Sequence, residues 1–209
     1  MTDDNYTALL LIIDRSGSMS SIRDDMVGGL QTLLAQQASE PGMLTVDVLT
    51  FDDVIEVTHT MADPASVQIE LDPRGSTALF DAIGFGVHGF GKLLSDLPDH
   101  ARPATVQVVV VTDGHENASR EYSADAVRKL VEHQKEKYDW DFAFLGANQD
   151  AVLTGGRLGF DRDSSMTFDA APEAVEVMNA SLSRYVGDVR KRNKRGFSDD
   201  ERHSARGER

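Results

Sequence analysis

The amino-acid sequence predicts an α/β fold: a doubly wound, Rossmann-like, mostly parallel sheet of about six strands, with one antiparallel edge strand and helices on both faces. Three observations carry that expectation. Short apolar runs alternate with longer amphipathic stretches, the pattern of crossover units around a parallel sheet. Two of those runs, TALLLII at 7–13 and TVQVVVVT at 105–112, are near-continuous aliphatic segments of the kind buried on both faces. Finally, 209 residues that are 40% hydrophobic and 27% charged suffice for one substantial core and are few for two.

The first strand, 7–13, leads into a helix expected over 20–37. The segments MLTVDVLTF (43–51) and VIEVTHTM (54–61) follow, separated by Asp52 and Asp53 alone. Two residues cannot cross over to a parallel neighbour, so these strands form an antiparallel hairpin at one edge. A helix over 78–95 precedes the strand at 105–112. Ser123 then stands where an N-cap is wanted before ADAVRKLVEHQKEK, predicting a helix over 123–137. WDFAFLG (140–146) is the next buried strand, followed by a helix over 148–157 and a short strand at 166–168. The last predicted helix, 172–189, begins with Pro172, which a first helical turn tolerates. No internal repeat is visible.

The final twenty residues differ in composition. Residues 190–209 hold eight Lys and Arg against four Asp and Glu, whereas 1–189 carry a formal charge of −18. RKRNKR followed by SDDERHSARGER has almost no apolar side chain, so a single domain over 1–189 with a disordered, charged tail over 190–209 is expected.

The overall charge of −14 argues against nucleic-acid binding by the body of the chain, which would need clustered Lys and Arg. The absence of Cys removes disulfides, thiolate metal sites and Cys nucleophiles together. The start MTDDNYT has no basic segment, and the apolar run Ala8–Ile13 is far short of a membrane span, so a cytoplasmic protein without membrane contact is expected. N-x-[ST] triplets at Asn5, Asn117 and Asn179 then carry no meaning.

The chemistry concentrates where buried strands end. LLLIIDRSGSM stops at Asp14 and places Ser16 and Ser18 at even offsets in a loop turned by Gly17. Asp113 ends VVVVTDG. Ligands of doubly wound sheets sit beyond the carboxyl ends of the strands, so if these two strands are neighbours their carboxylates meet in one crevice. Two close acids repel unless a cation lies between them, and a hard divalent ion with oxygen ligands resolves that repulsion. RGSTALFDA contributes Thr77, a further hydroxyl just before a helix.

These residues carry a resemblance. DRSGSM resembles the D-x-S-x-S motif of the von Willebrand factor A family, GSTALFDAI is similar to its threonine segment, and VVVVTDG to its aspartate-bearing segment, in the family's order and over about residues 7–189. The resemblance implies a metal-ion-dependent adhesion site: Asp14, Ser16, Ser18, Thr77 and Asp113 would hold Mg²⁺, with Mn²⁺ an alternative, directly or through water. It implies further that a protein partner supplies an Asp or Glu oxygen to the open position. Arg15, Met19, Ser76, His115 and Glu116 would then form the partner-binding rim. GANQDAVLTGGRLGF points by analogy to a small stand-alone microbial or phage type.

Other readings compete. Ser16 and Ser18 could merely cap the helix that follows, and Asp113 before Gly114 could be a turn residue. Asp81 reads as a first-turn helix acid or an outer partner of the site rather than a ligand. GFGVHG at 84–89 matches G-x-G-x-x-G but lies inside a helix, where its glycines would let the helix approach the sheet. A non-enzymatic, metal-dependent protein-binding module is therefore the expectation. Alternatives are a phosphoester hydrolase using the same carboxylates and an assembly subunit docking through its basic tail.

Overall fold

A computed structural model describes residues 3–147 and 149–207. Its single sheet has six strands, β1 (Asp3–Asp14), β2 (Met43–Phe51), β3 (Ile55–Ala62), β4 (Pro103–Thr112), β5 (Asp141–Ala147) and β6 (Ser165–Phe168), in the order β3-β2-β1-β4-β5-β6. All neighbours are parallel except β2 and β3, so the expected antiparallel edge forms; its connection is one residue longer than expected, Asp52, Asp53 and Val54, because β3 starts at Ile55. Helices α1 (Arg23–Ser39) and α5 (Pro172–Arg190) cover one face; α2 (Leu79–Ser95) and α3 (Ala124–Tyr138) cover the other. α4 (Ala151–Arg157) joins β5 to β6. The helix expected from residue 148 starts three residues later, with Asp150 as its N-cap, and Asn148 lies outside the described residues.

β1 explains why the aliphatic runs do not alternate. Leu9, Leu11 and Ile13 pack with α1 and α5, while Ala8, Leu10 and Ile12 pack with α2 and α3. Both sides of the strand are dry, so each face needs its own apolar set. Gly86 on α2 shows what one glycine of the GFGVHG run does: a Cβ there would meet Ile12 Cδ1 at 3.0 Å, so its absence seats the helix on the sheet. Gly84 instead makes room for the ring of Tyr122.

The tail expectation is corrected. Residues 196–207 fold back, and α6 (Asp199–Ala205) closes against α5 and β6. Phe197 is buried and stacks on Tyr185 with ring centroids 4.9 Å apart, and Ala205 is fully buried. The charges that suggested disorder are consumed locally. Arg184 pairs with Glu201 at 2.7 Å, and Arg202 donates to the carbonyls of Phe197, Arg162, Asp163 and Ser165.

A buried acid on β2 has no ion pair among the described residues. Asp47 of β2 accepts a hydrogen bond from the Met61 amide at 3.2 Å, and burial pushes its pKa from 3.8 to about 6. A raised acid favours folding while it keeps its proton, and that contribution is lost as pH rises through the folded value. Asp47→Asn keeps an acceptor for Met61 and carries no charge. It is expected to be more stable than the parent by about 1 kcal/mol above pH 7, with the difference vanishing near pH 4, in urea melts across that range.

Candidate metal centre

The site lies at the carboxyl ends of β1 and β4, where the chain reverses direction across the sheet. Ile13 pairs with Val111, so Asp14 ends β1 level with Thr112 and Asp113 follows one residue on. β1 and β4 are therefore neighbours, as a shared crevice for Asp14 and Asp113 requires. The chain leaves β1 through a 3-10 turn over Gly17–Ser21 before α1 begins. Ser16 stands at the start of that turn without a side-chain capping bond, so its hydroxyl is not spent on the helix.

The five candidate ligands converge. Ser18 Oγ donates to Asp113 Oδ1 at 2.6 Å, and the Ser16 and Ser18 hydroxyls are 3.1 Å apart. The Ser16 amide donates to Asp14 Oδ1 at 2.6 Å. Thr77 closes the group from the third loop. A Cβ placed on Gly114 would sit 2.8 Å from Thr77 Oγ1 and 3.7 Å from Asp14 Oδ2, so both oxygens border the space that this glycine leaves clear.

Burial raises the Asp14 carboxyl to about 6, with Asp113 adding to the rise and hydrogen bonds from Thr112 and Ser16 opposing it. Burial also pushes Asp113 up, against the hydrogen bond from Ser18. Among the described residues neither acid has a cationic partner. Arg15, adjacent to Asp14, is turned to Asp52 at 3.2 Å and Glu56 at 2.6 Å. A pair of desolvated carboxylates ringed by three hydroxyls and lacking a counter-charge is a donor set that fits a hard divalent cation. No group of three or more His, Cys, Asp and Glu side chains with metal-binding geometry occurs among the described residues, so softer nitrogen-rich or sulfur-rich sites have no counterpart here.

The rim divides. Ser76 and His115 are exposed beside the crevice. Arg15 is corrected from the rim to the interior: it is 6% exposed and its guanidinium is taken up by the β2–β3 connection. Met19 is likewise corrected, being fully buried in the core under the first loop, where a thioether is better placed than in water. Glu116 is half-buried and serves as a clip. One oxygen accepts from the Phe80 amide at 2.9 Å and the Ser119 hydroxyl at 2.7 Å, and the other from the amides of Ala118 and Ser119. A carboxylate at the first turn of α2 is favoured by that helix's free N–H groups.

Four positioning residues were not evident from sequence. Thr112 donates to Asp14 Oδ2 at 2.6 Å and accepts from the Gly114 amide. Asp52, 1% exposed, holds Arg15 and Arg74 and so ties the first loop to the Thr77 loop; the only signal was an acid ending a strand beside β1. Asn117 accepts from the Thr77 amide at 2.9 Å, and Gln149 donates to the Gly114 carbonyl at 3.0 Å. Asp81 is no ligand: it accepts from the amides of Arg120, Glu121 and Tyr122, tying the loop after β4 to α2.

Gly75 adopts φ +66, and the Asp53 carboxylate fills the space a side chain would need, so the Thr77 loop is set by a glycine at that point. Gly114→Ala tests the other close approach. Thr77 must move to admit the methyl group, so the variant is expected to fold but to lose about tenfold in divalent-cation affinity by calorimetry.

The arrangement defines a class: a doubly wound α/β domain with an oxygen-lined crevice at its switch point. No family sequence model matches the chain, and no curated protein matches it in sequence. Solved structures do match in fold. A proximal thread matrix protein 1 from the mussel byssus, with a zinc-occupied MIDAS motif, is 16% identical with a TM-score of 0.58, covering 90% of this chain and 45% of its own. A von Willebrand factor type A protein from Catenulispora acidiphila is 14% identical with a TM-score of 0.59, covering 87% and 42%. The vWF domain of the type V pili tip protein from Porphyromonas gingivalis is 8% identical with a TM-score of 0.60, covering 93% and 98%. The chain thus spans less than half of the first two proteins and nearly all of the third. In fold, the chain is a von Willebrand factor A-like domain.

Proposed function

We propose that this protein is a divalent-cation-dependent protein-binding module. Asp14, Ser16, Ser18, Thr77 and Asp113 would hold Mg²⁺ or Mn²⁺, and an Asp or Glu of the partner would complete the coordination. The observation that carries this reading is the convergence of three separate loops on two uncompensated carboxylates, with Ser18 2.6 Å from Asp113 and the Thr77 hydroxyl and Asp14 carboxylate bordering the same space beside Gly114. The ion would supply concentrated positive charge on an otherwise acidic surface, the attraction an incoming carboxylate needs. The chain's own residues orient the donors. Thr112 and the Ser16 amide fix both Asp14 oxygens, and Asp52 and Asn117 hold the Thr77 loop. Ser76 and His115 stand exposed where a partner would add specificity. One fold neighbour, the mussel matrix protein, has a zinc-occupied MIDAS motif, which supports divalent binding at this type of crevice.

Hydrolysis is less well served. A general base must be free to take a proton from water, whereas Glu116, the acid beside Asp113, is committed to four donors. Calorimetry with MgCl₂ and MnCl₂, and capture of partners with and without chelator, test the proposal. Saturable cation binding abolished by Asp113→Ala, with partners lost in chelator, is the expected result; an intact protein indifferent to both ions would overturn it.

A further inference from the structure

A second cavity lies at the opposite end of the sheet. Its volume is about 620 Å³, and it opens between α2 and α3 over the starting residues of β4 and the residue before β5. Val106, Leu94, Pro103 and Trp140 supply apolar and aromatic walls. The polar lining includes Lys92, Arg102, His88 and His133, and among the described residues no Asp or Glu lines it. In a chain of net charge −14, an acid-free, cation-bearing cavity is a local reversal of sign.

Local structure produces this space. Asp139 takes φ +56 to end α3, which leaves one residue of turn before Trp140 and directs the indole inward to Phe90 and Phe142. Gly91 of α2 leaves a narrow edge of the otherwise buried indole, 8% exposed, at the cavity wall: a Cβ there would meet Trp140 Cη2 at 3.5 Å, in ordinary contact, so any larger side chain would occupy the cavity. Lys92 and Arg102 pair with Asp96 and Asp99, but both acids are largely exposed outside the lining. Exposed pairs of this kind are weak; Arg102 also donates to the Leu97 and Ser95 carbonyls, which fixes its guanidinium at the cavity edge and leaves its remaining N–H groups, with the Lys92 ammonium, to meet a better-placed anion.

We propose that this cavity binds a small planar aromatic anion, its ring against Trp140 and its charged group at Lys92 and Arg102. The size falls in the range of small-molecule sites, which combine apolar walls with a few polar groups that fix orientation. The site stands roughly 20–30 Å from the metal crevice along β4, so it does not depend on the metal-site reading.

Trp140 is the only tryptophan, so its fluorescence reports directly on occupancy. The experiment titrates 2-naphthoate into the full chain in chelator, following Trp140 emission and calorimetric heat, with uncharged 2-naphthamide as the comparison. Saturable one-to-one binding is expected, with the amide weaker by about tenfold and Lys92→Gln weaker by about threefold, as an electrostatic contribution near the surface implies. Gly91→Leu is expected to abolish binding with an unchanged or raised melting temperature, since the glycine is helical. No saturable response, equal affinity for the amide, or undiminished binding by Lys92→Gln overturns the proposal. If Gly91→Leu fails to fold, Lys92→Gln at an exposed position still decides it.

Discussion

In chelator at pH 7, Asp14→Asn is expected to be more stable than the parent protein by about 2–3 kcal/mol, while losing about 100-fold or more in magnesium affinity. Both effects come from the same burial. The Asp14 carboxyl is fully buried and its pKa stands at about 6 against an ordinary 3.8. The folded state holds that proton more tightly than the unfolded chain, so its contribution is complete below the ordinary value and is lost as pH rises through the folded one. Above about pH 6 both states are ionised and the full desolvation cost stands. Asparagine has no such titration, and its oxygen can still accept from the Ser16 amide while the Thr112 hydroxyl rotates to accept. The advantage of the variant should therefore grow from near zero at pH 4 to its full size at pH 7. Magnesium should stabilise the parent alone, because only a state that binds the ligand gains from it. Urea melts at four pH values, with chelator and with magnesium, measure all of this. A variant that is less stable in chelator, or equal stabilisation of both proteins by magnesium, would remove the idea of an uncompensated acid pair.

Phe197→Ala is expected to cost about 3–4 kcal/mol, the range for a buried phenylalanine that leaves a cavity. Phe197 stacks on Tyr185 at an interplanar angle of 25°, and Tyr185 itself donates to Asp141 at the start of β5. Truncation after Arg195 should cost at least as much. It removes Phe197 and Ala205 from the core, and leaves Arg184 without Glu201 and the Ser165 carbonyl without Arg202. Denaturant unfolding and limited proteolysis read the outcome. A segment that merely trailed in solvent would be clipped in the 190s and its loss would leave the melt unchanged.

That segment shows how sequence reading can weigh the wrong feature. SDDE at 198–201 has the spacing of a capping box, and both reciprocal bonds are present. A charged composition averages over residues and shows neither that cap, nor the pairing of Arg184 with Glu201, nor the bonds of Arg202 to the Phe197, Arg162, Asp163 and Ser165 carbonyls. The rim was misread for a related reason. Arg15 and Met19 alternate with Ser16 and Ser18 in a tight turn, and which of them faces the crevice depends on what packs behind the loop. Behind it lie Asp52 and Glu56 for the arginine and the α1 side of the core for the methionine.

The residue pattern already dictates the sheet, its edge hairpin and the acids that end β1 and β4. Unalternating aliphatic runs are stable only with both faces covered, and a link of two or three residues admits only an antiparallel return. Tertiary structure alone decided that Ile13 stands opposite Val111, that Thr77 reaches the same crevice through Asp52 and Asn117, and that the chain's end closes over Tyr185. Those relations join residues 12 to 98 positions apart, and register between distant segments is set by packing that no local pattern encodes.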